Sequence, residues 1–259
     1  GRYFLQAENE LAGSDIRLMK MFQPGVPSLE EYLYDKLPEN SQVAFDGRTT
    51  SISFAEKLNK KLSLKNISFV YDVDYIDDFW EDRPTLSKKP VWKLSEKYAG
   101  VPSENKFEKL RKKMAEYDTN VFVLSALDEI AWLLNLRGDD VLCNPVFLSY
   151  MIIYKENAVL YADDSIFSTE IKKYIDSLKI EVRPYMSFYN DLRKIDINSH
   201  VLIDSRNSNY LIKKSLPEKV SLTDTQSPIT LMKAIKNKTE YTNEQEAHIK
   251  DGVAVTKFM

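Results

Sequence analysis

VFVLSALDEIAWLLNLRGDDVLCNPVFLSYMIIY, residues 121–154, is the stretch on which the reading of the fold turns. Four apolar residues, Val121 to Leu124, open it with the pattern of a strand buried on both faces. Ser125 or Asp128 is placed to cap a short helix whose packed side would hold Ile130, Ala131, Leu133 and Leu134. The polar run Arg137-Gly138-Asp139-Asp140 breaks the pattern. After Asn144-Pro145, the aromatic and branched run Val146 to Tyr154 predicts a second strand. Strand, helix, charged loop and strand describe the heart of an α/β domain.

Outward from this centre, the N-terminal side alternates strands and helices. Arg2 to Leu11 reads as a strand end running into a helix, and Ile16 to Met21 as a strand by alternation. Ser28 and Glu31 form a capping box for a helix burying Leu29, Tyr32, Leu33 and Leu37. Gln42 to Phe45 and Ile67 to Tyr71 flank a helix over 51–62, which predicts a largely parallel sheet. Between Tyr75 and Pro90 the chain turns acidic, aromatic and proline-bearing, as expected of a connector. Beyond it, Ser103 would cap a helix carrying Phe107, Leu110 and Met114. On the C-terminal side, Ala158 to Tyr161 pairs back on Met151 to Tyr154, followed by a helix over 168–178 and a strand over 180–183. A helical segment over 187–195, a strand over 201–204 and a short helix over 207–214 complete the second α/β unit. From Pro228 two helices follow, the last running from Glu240 to Met259.

The 259 residues allow about two domains. A net charge of −3 with no basic stripe argues against nucleic acid. No apolar run approaches the ~20 residues of a membrane helix. A lone cysteine, Cys143, excludes an internal disulfide, and with no basic or histidine neighbour it is no nucleophile candidate. With two histidines, His200 and His248, set far apart, structural roles are expected rather than metal ligation. Asp72, Asp74, Asp77 and Asp78 meet no calcium-loop spacing and read as a solvated face. Asp128 and Glu129 diverge by about 100° on a helix, so capping and anchoring suit them better than paired acid–base work. Arg137 is expected to fix its loop with Asp139 and Asp140, and Trp80 and Trp132 to pack.

Several segments together resemble the cytosolic type of Xaa-Pro aminopeptidase, within the creatinase/prolidase family. They are Gly1 to Ala7 (GRYFLQA), Trp80 to Pro84 (WEDRP), Leu127 to Leu133 with Asn135 to Gly138 (LDEIAWL, NLRG), Asn144 to Phe147 with Ser149-Tyr150, Lys236 to Glu240 (KNKTE) and Ala247 to Gly252 (AHIKDG). They lie in the family's order along the whole chain. The resemblance implies an α/β fold with the C-terminal half of creatinase-like domain I over 1–85 and creatinase-like domain II over 86–227. Residues 228–259 would then be a connector and the first helix of a pita-bread metallopeptidase domain. It implies a parent that removes the residue preceding proline from short proline-containing peptides. That parent would be cytoplasmic, a homodimer, and would use two Mn²⁺ ions held by two Asp, one His and two Glu. Those ligands would lie downstream, so no catalytic and no metal residue is assigned here, and this portion alone is expected to be inactive. Arg2, within RYFLQ, is the one site residue implied, as a substrate-contacting cation. A chain opening on Gly1 rather than Met is expected to be a piece of a longer one. The alternative is a catalytically inactive interaction module that binds peptides or proteins.

Overall fold

The computed structural model describes residues 2–259, with side chains from Tyr3 onward. Its elements run α1 (Arg2–Glu10), α2 (Leu29–Lys36), β1 (Gln42–Ala44), α3 (Ile52–Leu62), β2 (Ser68–Val70), β3 (Trp92–Lys93), α4 (Glu96–Ala99), α5 (Ser103–Glu116), β4 (Val121–Leu124), α6 (Leu127–Leu134) and β5 (Leu136–Arg137). They continue β6 (Tyr150–Tyr154), β7 (Ala158–Tyr161), α7 (Thr169–Ser177), β8 (Ile180–Arg183), α8 (Phe188–Leu192), β9 (His200–Ile203), α9 (Tyr210–Ser215), β10 (Ser221–Asp224), α10 (Pro228–Ala234) and α11 (Lys238–Phe258).

The central sheet has the order β10-β9-β4-β6-β7-β8. It is mixed: β10, β9 and β4 are parallel, β4, β6 and β7 antiparallel, and β7 and β8 parallel again. Side-chain alternation explains why β4 must sit inside. Phe122 and Leu124 enter a core formed with α5, α6 and α7, whereas Val121 and Val123 enter the opposite core with α8 and α9. Its partner follows suit: Ile153, opposite Phe122, joins the first core, and Ile152, opposite Val123, joins the second. The predicted α/β class and the β6–β7 hairpin are both found.

Several expectations fail for identifiable reasons. The strand expected from Val146 starts only at Tyr150, because the Asp140 carboxylate takes the Leu148 N–H at 2.8 Å and Val146 N–H turns back to Asn144. Ser103 is not a cap; Pro102 holds that position and the Ser103 hydroxyl bonds the Tyr174 hydroxyl at 2.7 Å. Residues 16–21 form no strand, since no neighbour offers a ladder there; Lys20 instead pairs with Glu8. Where a strand end running into a helix was expected from Arg2, Arg2–Glu10 is helical throughout. In α2 the Ser28–Glu31 capping box is present, but Leu29 and Tyr32 face solvent. The helix is rotated so that Leu33 and Leu37 meet Leu58 and Leu62, which buries Glu30 beside its partner Lys57. That ion-paired hydrogen bond holds the Glu30 carboxyl below the usual range.

Residues 45–53 are stitched into the large sheet unit. Ile52, 1% exposed, belongs to its second core. Backbone bonds run from Ile52 to Ser208 at 2.9 Å, from Ser53 to Ser205 at 2.9 Å and from Tyr210 to Thr50 at 2.7 Å. Phe45, Phe69 and Tyr71 pack around Tyr210. A side chain at Gly47 would meet the Tyr71 carbonyl at 2.6 Å, so only glycine admits this close approach.

The acidic segment from Asp72 is an ion-pair seam rather than a free charged face. Asp74 accepts from Arg83 at 2.6 Å and also from Arg48. The hydrogen bond from Arg83 leads in drawing the Asp74 carboxyl down to about 2. A depressed carboxylate contributes fully above its ordinary value near 3.8 and is lost as pH falls through about 2. We expect an NMR titration of the Asp74 carboxyl to have its midpoint well below 3.8; a midpoint at that value would refute the seam.

Candidate functional site

The organising stretch builds the site. α6 leaves β4 through Ala126, which caps it without a side-chain bond. Ser125 and Asp128, the two cap candidates, are both engaged elsewhere: the Ser125 hydroxyl donates to the Asn207 carbonyl at 2.9 Å, and Asp128 pairs with Lys233. Glu129 is buried and accepts from the Ser227 and Thr230 hydroxyls, both at 2.6 Å. Burial pushes its carboxyl up, against the two hydroxyl bonds. Asp128 and Glu129 therefore both clamp α10 to α6, an anchoring role.

The far end of α6 is built from cations. Asn135 closes it in the left-handed conformation at φ 50°. Lys106 of α5 donates to the Trp132 carbonyl at 2.8 Å and to Asn135 Oδ1 at 2.6 Å. Arg137 donates to the Ala131 carbonyl at 2.7 Å and the Leu136 carbonyl at 2.9 Å. Positive charge there complements the exposed carbonyls and the negative end of the helix dipole. Arg137 does not meet Asp139 or Asp140, because as part of β5, paired with Trp92, it is turned back onto α6.

α11 starts against this end. Asn237 caps it with a full capping box to Glu240, and the Asn237 amide donates to the Ala99 carbonyl at 2.8 Å. Asn243 reaches the Lys97 carbonyl at 3.1 Å. Glu240 takes the Trp132 indole N–H at 3.3 Å. Between α4, α6, β5 and α11 lies a cavity of about 360 Å³ whose walls include Lys106, Trp132, Arg137, Lys233, Lys236 and Glu240.

A second hollow, about 340 Å³, lies where β4 and β9 end at their carboxyl termini, the usual ligand end of an open α/β sheet. Of its two cations, Arg48 is already committed to Asp46 at 2.7 Å and to Asp74, and Arg206 lies 4.0 Å from Asp204. Tyr150, on its wall, shares a 3.1 Å hydroxyl contact with Tyr189 beside it, and burial pushes both phenols up.

The remaining candidates are scattered. The Arg2 side chain, the one site residue implied from sequence, lies outside the described residues, although its backbone is in α1. Trp132 is partly buried in the first core, whereas Trp80 is exposed. Cys143 is exposed on a turn with φ 60°. His200 is exposed with Nδ1 3.1 Å from the Asp118 carbonyl, and His248 faces solvent on α11. Among the described residues no group of three or more His, Cys, Asp or Glu could hold a metal ion, and no helix is long and apolar enough to cross a membrane. Sequence reasoning missed Lys106. Its signal was position: in SENKFEKLRKKM it falls on the stripe of Ser103, Phe107, Leu110 and Met114, where a lysine is out of place.

Residues 82–240 match the model of the Creatinase/Prolidase N-terminal domain. The chain belongs to the creatinase/prolidase N-terminal domain family. Within that family it is 35% identical over 273 residues to Xaa-Pro aminopeptidase 1 of Dictyostelium discoideum, covering 100% of this chain and 42% of that protein. It is 34% identical over 290 residues to Aminopeptidase P2 of Arabidopsis thaliana, with 100% and 41% covered. The X-prolyl aminopeptidase of Caenorhabditis elegans, described as a cytosolic enzyme with a di-nuclear active site, superposes with a TM-score of 0.93 at 27% identity. That match covers 100% of this chain and 43% of the nematode enzyme. The chain thus spans less than half the length of the curated relatives it matches.

Proposed function

We propose that this chain is the N-terminal portion of a metallo-aminopeptidase that releases the N-terminal residue from peptides with proline in second position. The end-to-end alignment with Xaa-Pro aminopeptidases carries this reading, supported by the close superposition on the nematode enzyme. In it, residues 1–85 are the C-terminal half of creatinase-like domain I, 86–227 are domain II, and 228–259 lead into a pita-bread catalytic domain. Proline withdraws an amide N–H and fixes a backbone torsion, so such peptides call for a shaped entrance. The two α/β units narrow that entrance for short peptides, and Arg2 contacts the substrate through a guanidinium whose planar donors grip a carbonyl or carboxylate. The side chains present do not fit two Mn²⁺ ions, for no ligand cluster forms among the described residues; the metals belong to the catalytic part of the parent. The parent is a cytoplasmic homodimer.

The test is a pair of assays on Xaa-Pro peptides. The full-length protein is expected to hydrolyse them and this portion alone to be inert. In the full-length protein Arg2→Ala slows turnover by more than about tenfold, the loss of a charged contact of about 1.5–3 kcal/mol. Hydrolysis by the isolated portion, or wild-type kinetics in Arg2→Ala, would remove the corresponding assignment. A full-length protein without any such activity leaves the interaction-module reading in its place.

A further inference from the structure

We propose that the cavity between α4, α6, β5 and α11 is a binding site for a small organic carboxylate, gripped by Lys106 and Arg137. Lys106 is 2% exposed, yet among the described residues it forms no ion pair. Two of its three ammonium protons go to neutral oxygens, and its charge otherwise rests over the Trp132 ring, 4.0 Å from the centroid. Arg137, half-buried, likewise meets only carbonyls, through Nη1 alone; Nε and Nη2 have no partner among the described residues. Desolvated cations are ordinarily paired with an anion, because taking a charge out of water costs several kcal/mol. Here two stand within each other's field and line the same cavity.

The chain's own carboxylates do not meet this need. The field of Glu240 reaches both Lys106 and Arg137, but one of its oxygens holds the Trp132 indole and the other the Asn237 N–H, and among the described residues it forms no ion pair. Asp128 is taken by Lys233, and Glu244 faces His248 at 3.9 Å. Lys236 adds a further positive charge at the rim. Burial draws the Lys106 ammonium down to about 8, with Glu240 opposing and Arg137 adding to the shift. A carboxylate would accept the third Lys106 proton and lie in the free fork of Arg137, the geometry in which guanidinium binds two oxygens at once. Leu94, Ala99, Pro145 and Val146 on the walls suit a short organic tail.

The experiment is calorimetric titration of the full-length protein with sodium acetate at fixed ionic strength, compared with Lys106→Met, Arg137→Lys and Lys60→Gln. The wild type binds acetate, and Lys106→Met weakens it by at least about tenfold, the loss of one charged hydrogen bond. Arg137→Lys keeps the charge and loses the fork, so it also weakens binding while the chain stays folded. Lys60→Gln, on the exposed face of α3 and not among the cavity walls, stays close to wild type. Equal affinity in all four proteins, or no acetate uptake by the wild type, overturns the proposal; the second result would mean the rest of the parent already fills the cavity. Because the readout is acetate binding rather than peptide hydrolysis, failure here leaves the peptidase reading untouched.

Discussion

Phe188→Ala lowers the free energy of unfolding by about 3–5 kcal/mol, the cost of emptying a large buried aromatic site. The Phe188 side chain is fully buried, and its ring lies flat on Tyr150, 4.1 Å between centroids with planes 2° apart. Edge contacts to Tyr161 at 5.2 Å and Tyr189 at 5.1 Å complete the cluster. Removing the ring forfeits its transfer from water and these specific contacts together. The surrounding strands β6 and β7 are fixed by their ladders and cannot close the gap. Equilibrium urea unfolding checks the claim through the midpoint, with Phe22→Ala as the control, since Phe22 is 94% exposed. A loss below about 1 kcal/mol for Phe188→Ala would show that the cluster repacks freely.

Gly100→Ala loosens the α4–α11 junction by about 1.5–4 kcal/mol. Gly100 closes α4 with φ 72°, where a Cβ alone costs about 1–2 kcal/mol. That Cβ would also collide with Asn237 Oδ1 and stand 2.8 Å from Thr239 Cβ. Asn237 cannot yield without loss. Its Oδ1 accepts from Thr239 at 2.9 Å and Glu240 at 3.0 Å, while its amide grips the Ala99 carbonyl. Displacing a cap of this kind costs about 0.5–2 kcal/mol more. Hydrogen exchange is the sensitive measurement, because the damage is local: amides over 238–243 should exchange markedly faster while those of β4 and β6 keep their protection. Unchanged exchange at 238–243 would mean that α4 and α11 are not coupled through this contact.

The parts of this fold written plainly in the sequence are those where a local pattern needs only one answer. Four consecutive apolar residues, Val121 to Leu124, required burial on both faces, and both cores duly take two each. The Ser28–Glu31 box set a helix start because its partners are three residues apart. What went unread depended on distant partners. β10 (Ser221–Asp224) is a polar edge strand, held on one side by β9, so nothing in SLTD announces it. Alternation over 16–21 asked for a strand, but alternation forms none without a neighbouring ladder. Arg137 was assigned to nearby aspartates; its real partners are carbonyls that only the packing of β5 under α6 presents. At the candidate site Trp132 and Arg137 were singled out from sequence, whereas Lys106 and Glu240 converge on them only in the fold.

The division of β4's side chains between two interiors also bears on where this chain tolerates a change of length. One residue added within 121–124 would exchange the faces of all that follow it, sending Phe122-type bulk where Val123-type bulk belongs. Insertions and deletions are thereby confined to stretches that carry no ladder, such as 12–27 and 75–90, and the interior strand serves as a ruler that every neighbouring loop must respect.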